Sequence, residues 1–269
     1  MAPAASAPVI TLSPRDYDAV LFDLDGVLTR TASVHAAAWK RLFDRFLEQR
    51  SAETGQPFVP FDTADDYLRY VDGKPRQDGV ADFLQSRRIE LPRGAPDDGP
   101  SVRSVYGLGN LKDRYFQEEL REHGVERYET SIDLIRALRM ANVKTAVVSS
   151  SKNCAAVLAA AGIADLFDVR VDGLDLTRFG LKGKPAPDAF LEAVRRLERE
   201  PSRTAVVEDA IAGVQAGRAG GFGLVIGVDR GGRAMELRQA GADVVAADLA
   251  DVRVANEPPA TGSLVSPRS

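Results

Sequence analysis

The chain has 269 residues, 44% of them hydrophobic, enough to bury a full core in one large domain or two smaller ones. With 35 Lys and Arg against 39 Asp and Glu, the net charge of -4 offers no long-range attraction to nucleic acid or to an anionic membrane, so any anion must be recognised locally. No apolar stretch reaches the length of a membrane span, residues 1 to 14 carry neither a basic region nor an apolar signal segment, and the single Cys154 excludes an internal disulfide. A cytoplasmic setting is expected, with no nucleic-acid or membrane partner.

In chain order, residues 1 to 14 are rich in Ala, Pro and Ser and read as a disordered tail. Ala19, Val20, Leu21 and Phe22 form an apolar run with no polar break, the pattern of a short strand covered on both faces. It ends in Asp23-Leu24-Asp25-Gly26. Residues 31 to 50 read as an amphipathic helix, with Val34, Ala38, Leu42 and Phe46 on its apolar face and Trp39 and Phe43 beside them as packing residues. Helical spacing continues at 67 to 71, 80 to 84 and 111 to 120, broken by loops at 56 to 62 and 92 to 100, so residues 31 to 127 are expected to form a helical insert.

From 131 onward short apolar strands alternate with helices. Strands are expected at 144 to 149, 167 to 171, 204 to 207, 224 to 228 and 243 to 245, with helices around 132 to 138, 153 to 161, 188 to 197, 211 to 219 and 235 to 240. This alternation predicts an α/β fold, a doubly wound parallel sheet of Rossmann-like type built from 15 to 30 and 128 to 252, with the helical cap inserted after the first strand and a second disordered tail over 253 to 269. Gly107-Leu-Gly109 falls inside the helical insert and is therefore no dinucleotide fingerprint. Cys154 reads as a small packed residue at a helix start rather than a nucleophile.

In open α/β sheets ligands bind beyond the carboxyl ends of the strands, and four polar clusters fall there. Asp23 and Asp25 repel one another unless a proton or a hard divalent cation such as Mg2+ lies between them. Ser149 offers a hydroxyl and backbone amides near a helix start, suited to a phosphate oxygen. Lys184, in Gly-Lys-Pro-Ala-Pro, sits on a loop that prolines keep out of a helix interior, where it would neutralise charge. Glu208-Asp209 follows the apolar run 205 to 207 and delivers two further carboxylates. Taken singly, each is as well explained by a turn, a helix cap or a solvated loop charge. Together they supply what phosphoryl transfer through a carboxylate requires.

These residues carry a resemblance. Asp23-Leu-Asp25-Gly26-Val-Leu-Thr29, Ser149, Lys184 and Glu208-Asp209 resemble the four motifs of the haloacid dehalogenase superfamily, over residues 17 to 250. The resemblance implies that Asp23 is a nucleophile forming a phosphoaspartate and Asp25 a general acid/base. It also implies Mg2+ held by Asp23, the backbone carbonyl of Asp25 and Asp209, with Glu208 assisting through water.

Within that superfamily the insert is similar to the cap of the β-phosphoglucomutase family. Thr31, His35, Trp39 and Lys40 follow Asp25 at spacings similar to that family's hinge and first cap helix. Gly73-Lys74-Pro75-Arg76 is similar to its cap loop, in which Arg76 holds the distal phosphate, and Lys112 looks like its sugar-facing lysine. Ser149-Ser150-Ser151-Lys152-Asn153 resembles its extended second motif, in which Ser151, Lys152 and Asn153 reach phosphate and substrate. The resemblance implies a phosphomutase converting β-glucose 1-phosphate to glucose 6-phosphate through a bisphosphate, with a cap that excludes water and with Thr31 and His35 coupling Asp25 to its closure. The alternatives are a Mg2+-dependent sugar-phosphate phosphatase on the same residues and a non-catalytic partner-binding protein. A monomer is expected, with a homodimer as the alternative. Residues 51 to 62 and 89 to 102 are longer than a minimal cap needs, and Lys74-Pro75 stiffens and charges the cap loop.

Overall fold

A computed structural model of the chain describes residues 10–71, 74 and 76–255. The chain divides between residues 30 and 31 and again between 125 and 126, giving an α/β unit and a helical unit.

The α/β unit is built on a parallel sheet of β2 (Ala19–Phe22), β3 (Lys144–Val148), β4 (Val169–Val171), β5 (Thr204–Glu208), β6 (Leu224–Val228) and β7 (Val244–Ala246), in the order β4-β3-β2-β5-β6-β7. All four side chains of β2 are fully buried, as the unbroken apolar run requires. Ala19 and Leu21 belong to a core shared with Ala146, Val206, Phe190, Val214 and Leu237. Val20 and Phe22, by strand alternation, face the opposite layer. The doubly wound sheet expected from the sequence is thus present.

Helices follow the strands. After β3 come α5 (Cys154–Ala160) and, after β4, α6 (Gly173–Phe179) and α7 (Asp188–Leu197); α8 (Ile211–Ala219) follows β5 and α9 (Ala234–Ala240) follows β6, while α4 (Glu129–Met140) precedes β3. In α7 the buried residues Ala189, Phe190, Ala193, Val194 and Leu197 recur at helical spacing, which is why its limits coincide with the sequence reading. Helix α6 is not anticipated from periodicity because it buries only Gly173. Its formation rests on ends: Asp172 and Asp175 form a capping box, and Gly180 closes the helix at φ 65°.

The chain moves from β2 outward to β3 and β4, then returns to the other side of β2 at β5 and continues to β6 and β7. The strand order therefore reverses between β2 and β5, where such sheets form a crevice. Register aligns Phe22 with both Val147 and Val207, so Asp23, Ser149, Glu208 and Asp209 all emerge beyond one sheet edge.

The two tails are shorter than the sequence suggests. Ile10–Leu12 (β1) and Val252–Val254 (β8) pair in parallel, with Thr11 opposite Arg253. Three-residue β-branched segments next to Pro- and Ala-rich stretches carry too little periodicity to be recognised, and long-range pairing stabilises them. Residues 1 to 9 and 256 to 269 of the expected tails lie outside the described residues, as do Gly73 and Pro75 of the cap loop.

The helical unit contains α1 (Thr31–Thr54), a π-helical turn at Tyr67–Val71, α2 (Arg76–Ser86) and α3 (Val105–His123). Its core is aromatic: Phe43 and Phe83 lie 3.9 Å apart, and Phe61 stands 5.2 Å from each. The segment before α3 is irregular but tethered. Ser104 caps α3 by accepting from Gly107 N, and Asn110 Nδ2 donates to Pro96 O (3.1 Å) and Asp98 O (2.9 Å). A Cβ on Gly107 would collide with the Val102 carbonyl, so the glycine allows this segment to lie against the helix. Among the described residues no helix is long and apolar enough to cross a membrane.

Phe83 is fully buried and touches three aromatic rings. Phe83→Ala is expected to lower the unfolding free energy of the helical unit by about 3–5 kcal/mol. Hydrogen exchange of the α1 and α3 amides checks this; a loss below about 1 kcal/mol would show that the cluster is not a packed core.

Candidate active site

Asp23 is 8% exposed, with its backbone N–H donating to Val207 O at 3.0 Å, so β5 fixes it in place. Leu24 turns into the core, and Asp25, half-buried, opens a tight turn. That turn closes on itself: Gly26 N donates to Thr29 O (2.8 Å), while Leu28 N and Thr29 N both donate to Leu24 O. Gly26 has φ 81° and sits so close to Asp209 that a Cβ would overlap the Asp209 carboxylate. Only glycine fits there on both counts.

Glu208, the last residue of β5, is fully buried, and its Oε2 accepts from Ala210 N at 3.2 Å. A Cβ on Gly213 of α8 would fall on its carboxylate. Two glycines on different elements thus leave room for two carboxylates.

Lys184 joins the cluster from the loop before α7. Its ammonium is paired with both Asp23 and Glu208, donates to Val148 O at 3.3 Å, and lies 5.1 Å above the Phe190 ring. Ser149 ends β3 almost fully buried, and its Oγ accepts from Ser151 N (3.1 Å), leaving the hydroxyl proton available. Ser151 Oγ in turn accepts from Asn153 N (3.1 Å), while Lys152 is exposed and Asn153 half-buried. Gly173 presses on this segment: a Cβ there would lie 2.5 Å from Ser150 O. The sequence reading passed over Gly173, Gly213 and Arg230; the capping pattern Asp172 to Asp175 with Gly180 was the available signal for the first.

In the helical unit, Lys112 is 4% exposed with its Nζ 2.6 Å from His35 Nδ1 and over the rings of Trp39 (5.1 Å) and Phe116 (4.9 Å). The ammonium has only hydrogens to offer, so His35 accepts at Nδ1 and, when neutral, holds its proton on Nε2. Burial, then the charges of Lys112 and Arg76, hold the imidazole pKa well below its usual value. Thr31 is buried at the start of α1. Arg76 pairs with Asp113 (3.1 Å) and donates to Gly109 O (3.3 Å). Lys74 pairs with Asp82, restraining the cap loop from within its own unit. Cys154 is buried and its thiol is pushed up by burial, as befits a packing residue.

The acidic cluster has a charge imbalance. Carboxylate oxygens of Asp23, Glu208 and Asp209 all lie within 4.8 Å of one another, and Lys184 contributes one positive charge against these three. With all three ionised, two negative charges are left over in an all-oxygen donor set, which fits a hard divalent cation such as Mg2+. The Asp25 side chain is not among the carboxylates of this group. Burial, then Asp23 and Glu208, pushes the Asp209 acid up to about 8. Burial and Asp23 raise Glu208 as well. Lys184 loses to burial but gains more from Asp23 and Glu208, so its charge is reinforced.

A carboxylate whose pKa is raised by folding binds its proton more tightly in the folded chain, so its contribution to stability falls as pH climbs from the ordinary carboxylate value toward about 8. A divalent cation bound among these carboxylates would replace that proton. The thermal stabilisation gained on adding Mg2+ is therefore expected to grow between pH 6 and pH 8, with about one proton released per cation at pH 7. Titration calorimetry in buffers of different ionisation enthalpy measures the proton; a gain independent of pH would contradict the raised Asp209.

Comparison with known proteins agrees with this geometry. The family model for haloacid dehalogenase-like hydrolases matches residues 17–221. The chain is 50% identical over 242 residues to a β-phosphoglucomutase of Mycobacterium tuberculosis, covering 89% of this chain and 92% of that protein. It is 30% identical to a validoxylamine A 7'-phosphate phosphatase of Streptomyces hygroscopicus, covering 88% and 96% respectively. Among solved structures, a HAD family hydrolase from Deinococcus radiodurans with bound phosphate and sodium superposes with a TM-score of 0.65 at 27% identity, covering 88% of this chain and 93% of that one. The chain belongs to the haloacid dehalogenase-like hydrolase family.

Proposed function

We propose that this protein is a phosphomutase that converts β-glucose 1-phosphate to glucose 6-phosphate. The observation that carries the proposal is the meeting of Asp23, Lys184, Glu208 and Asp209 at the strand-order reversal. The 50% identity to a β-phosphoglucomutase over most of both chains supports the choice of reaction.

In this reading an Asp23 carboxylate oxygen attacks phosphorus, the bond from phosphorus to the sugar oxygen breaks, and Asp25 delivers the proton that the leaving oxygen takes up. In the forward cycle, phospho-Asp23 donates to the 6-hydroxyl of β-glucose 1-phosphate, whose proton passes to Asp25. The bisphosphate turns over, and Asp23 accepts the 1-phosphate to release glucose 6-phosphate. Mg2+, held by Asp23 and Asp209 with Glu208 and the Asp25 carbonyl, would offset charge on the transferring group. Lys184 prevents the Asp23 carboxylate from repelling an incoming phosphate, and preorganised contacts of this kind are typically worth about 3 kcal/mol of barrier. Ser149 offers its free hydroxyl proton to a phosphate oxygen, with Ser151, Lys152 and Asn153 extending the same segment. Arg76 is assigned to the distal phosphate, for which a planar guanidinium is suited. Thr31 and His35 are assigned to coupling the orientation of Asp25 to the bound substrate, and Lys112 to the sugar. The protein is read as a cytoplasmic monomer, with a phosphorylated sugar as its partner.

A second reading, a sugar-phosphate phosphatase, is favoured by the 30% identity to a phosphatase over nearly the whole of that protein. The two differ in whether a sugar hydroxyl or water attacks phospho-Asp23. Incubation with Mg2+, β-glucose 1-phosphate and a trace of the 1,6-bisphosphate, followed by phosphorus NMR, is expected to show glucose 6-phosphate in excess of free phosphate. Predominant free phosphate would replace the mutase reading by the phosphatase. Asp23→Asn is expected to lower either activity by more than about a thousandfold, and an unchanged Mg2+-dependent rate would remove Asp23 as nucleophile. Arg76→Ala is expected to raise KM about tenfold to a hundredfold, as loss of a charge-assisted contact does. An unchanged KM would take Arg76 out of phosphate binding.

A further inference from the structure

The turn that carries Asp25 is held from outside by groups with no place in the motifs. Its carbonyls are taken up one after another: Gly26 O accepts from Arg230 Nε (3.0 Å), Val27 O from Ser131 Oγ (2.6 Å), and Leu28 O from Tyr128 N (2.9 Å). Arg230 has further attachments. Its Nη1 donates to Asp248 at 2.7 Å, and its guanidinium carbon lies 3.7 Å from the Tyr128 ring centroid, a close stacked contact. The Arg30 guanidinium lies 4.8 Å from that ring.

The platform under Arg230 is itself rigid. The Asp229 carboxylate accepts from the backbone N–H groups of Gly231, Arg233 and Ala234, and Asp229 N donates to Ala246 O. Tyr128 and Arg30 mark the segments by which the chain leaves and re-enters the α/β unit: Arg30 N donates to Glu126 O at 2.8 Å, and Thr29 bridges to Arg127. One arginine thus ties the Asp25 turn to Asp248 and to Tyr128, whose ring also meets Arg30.

We propose that Arg230 is a positioning residue: through Gly26 O and the Tyr128 ring it holds the Asp25 turn in the orientation from which Asp25 transfers its proton. Lysine cannot reproduce this, because it lacks both the fork that spans Gly26 O and Asp248 and the flat face that stacks on Tyr128. The proposal rests on the reading of Asp25 as acid/base. It predicts that losing Arg230 harms those phosphoryl transfers whose leaving oxygen needs a proton and spares those whose leaving group departs as a stable anion.

The test compares single-turnover phosphorylation of Asp23 by β-glucose 1,6-bisphosphate, which leaves glucose 6-phosphate, and by 4-nitrophenyl phosphate, using the full chain with Mg2+. For Arg230→Met the sugar phosphate rate at saturation is expected to fall about tenfold to a hundredfold with its half-saturating concentration unchanged, while the nitrophenol burst stays within about twofold. Arg230→Lys is expected to recover only part of the loss. Tyr128→Leu, which removes the stacked ring and keeps the arginine, is expected to show the same leaving-group dependence more weakly and serves if Arg230→Met does not fold. Hydrogen exchange at the Gly26 and Leu28 amides should quicken in Arg230→Met while the β2 amides stay unchanged. Equal losses on both substrates, or none on either, would overturn the proposal. Asp25→Asn separates the underlying reading: if that variant keeps its rate with the sugar phosphate, Asp25 is not the acid/base. If it loses that rate and Arg230→Met does not, only the role of Arg230 fails.

Discussion

The ammonium of Lys184, buried between Asp23 and Glu208, is the interaction on which the α/β unit's chemistry depends. A carboxylate meant to attack phosphorus must be ionised and must not repel a phosphate dianion. Burial alone works against the first requirement, since it favours the protonated acid, as the raised Asp209 and Glu208 demonstrate. A buried ammonium in direct contact with Asp23 meets both requirements. It is itself costly to bury, and it stays charged only because two carboxylates face it. Removing Lys184 would therefore leave Asp23 and Glu208 buried with no cation facing them. One divalent cation held by these carboxylates would complete the balance that a single lysine leaves short.

Such crowding needs backbone without side chains. Gly26 lets the β2 turn pass against Asp209, and Gly213 lets α8 begin over Glu208. Two acids on adjacent strands consequently approach to within one cation's coordination distance. Substituting either glycine would displace a carboxylate rather than merely strain a loop.

The parts of this arrangement that are periodic or local were legible in the sequence. β2 is an unbroken apolar run, and α7, α8 and β6 occupy the expected residues because each buries a continuous face. The strand-tip residues Asp23, Lys184, Glu208 and Asp209 could be picked out because each directly follows such an element or lies on a loop fixed by prolines. What escaped is what depends on end chemistry or on distance along the chain. Helix α6 buries one glycine and is made by its caps; β1 and β8 are three residues each and exist only as a pair; Arg230 meets Gly26 across 204 positions of sequence. No window along the chain contains these partners together, so no periodicity can report them.

That last contact bears on how one fold can serve both mutases and phosphatases. In both proposed readings the chemistry at Asp23 is the same whichever nucleophile follows, so the choice between water and a sugar hydroxyl would be made by timing: by when Asp25 is ready to move a proton. Asp25 is not on the strand but on a turn, and that turn is fastened through Leu28 O to Tyr128 and through Gly26 O to Arg230, beside the two segments that connect the helical unit. Asp23 is fixed by β5, whereas the turn of Asp25, the acid/base in the proposed reaction, is fixed beside the connecting segments. Under the proposed reaction, a change in those connecting segments would act on the Asp25 turn first and leave the pairing of Lys184 with Asp23 and Glu208 undisturbed.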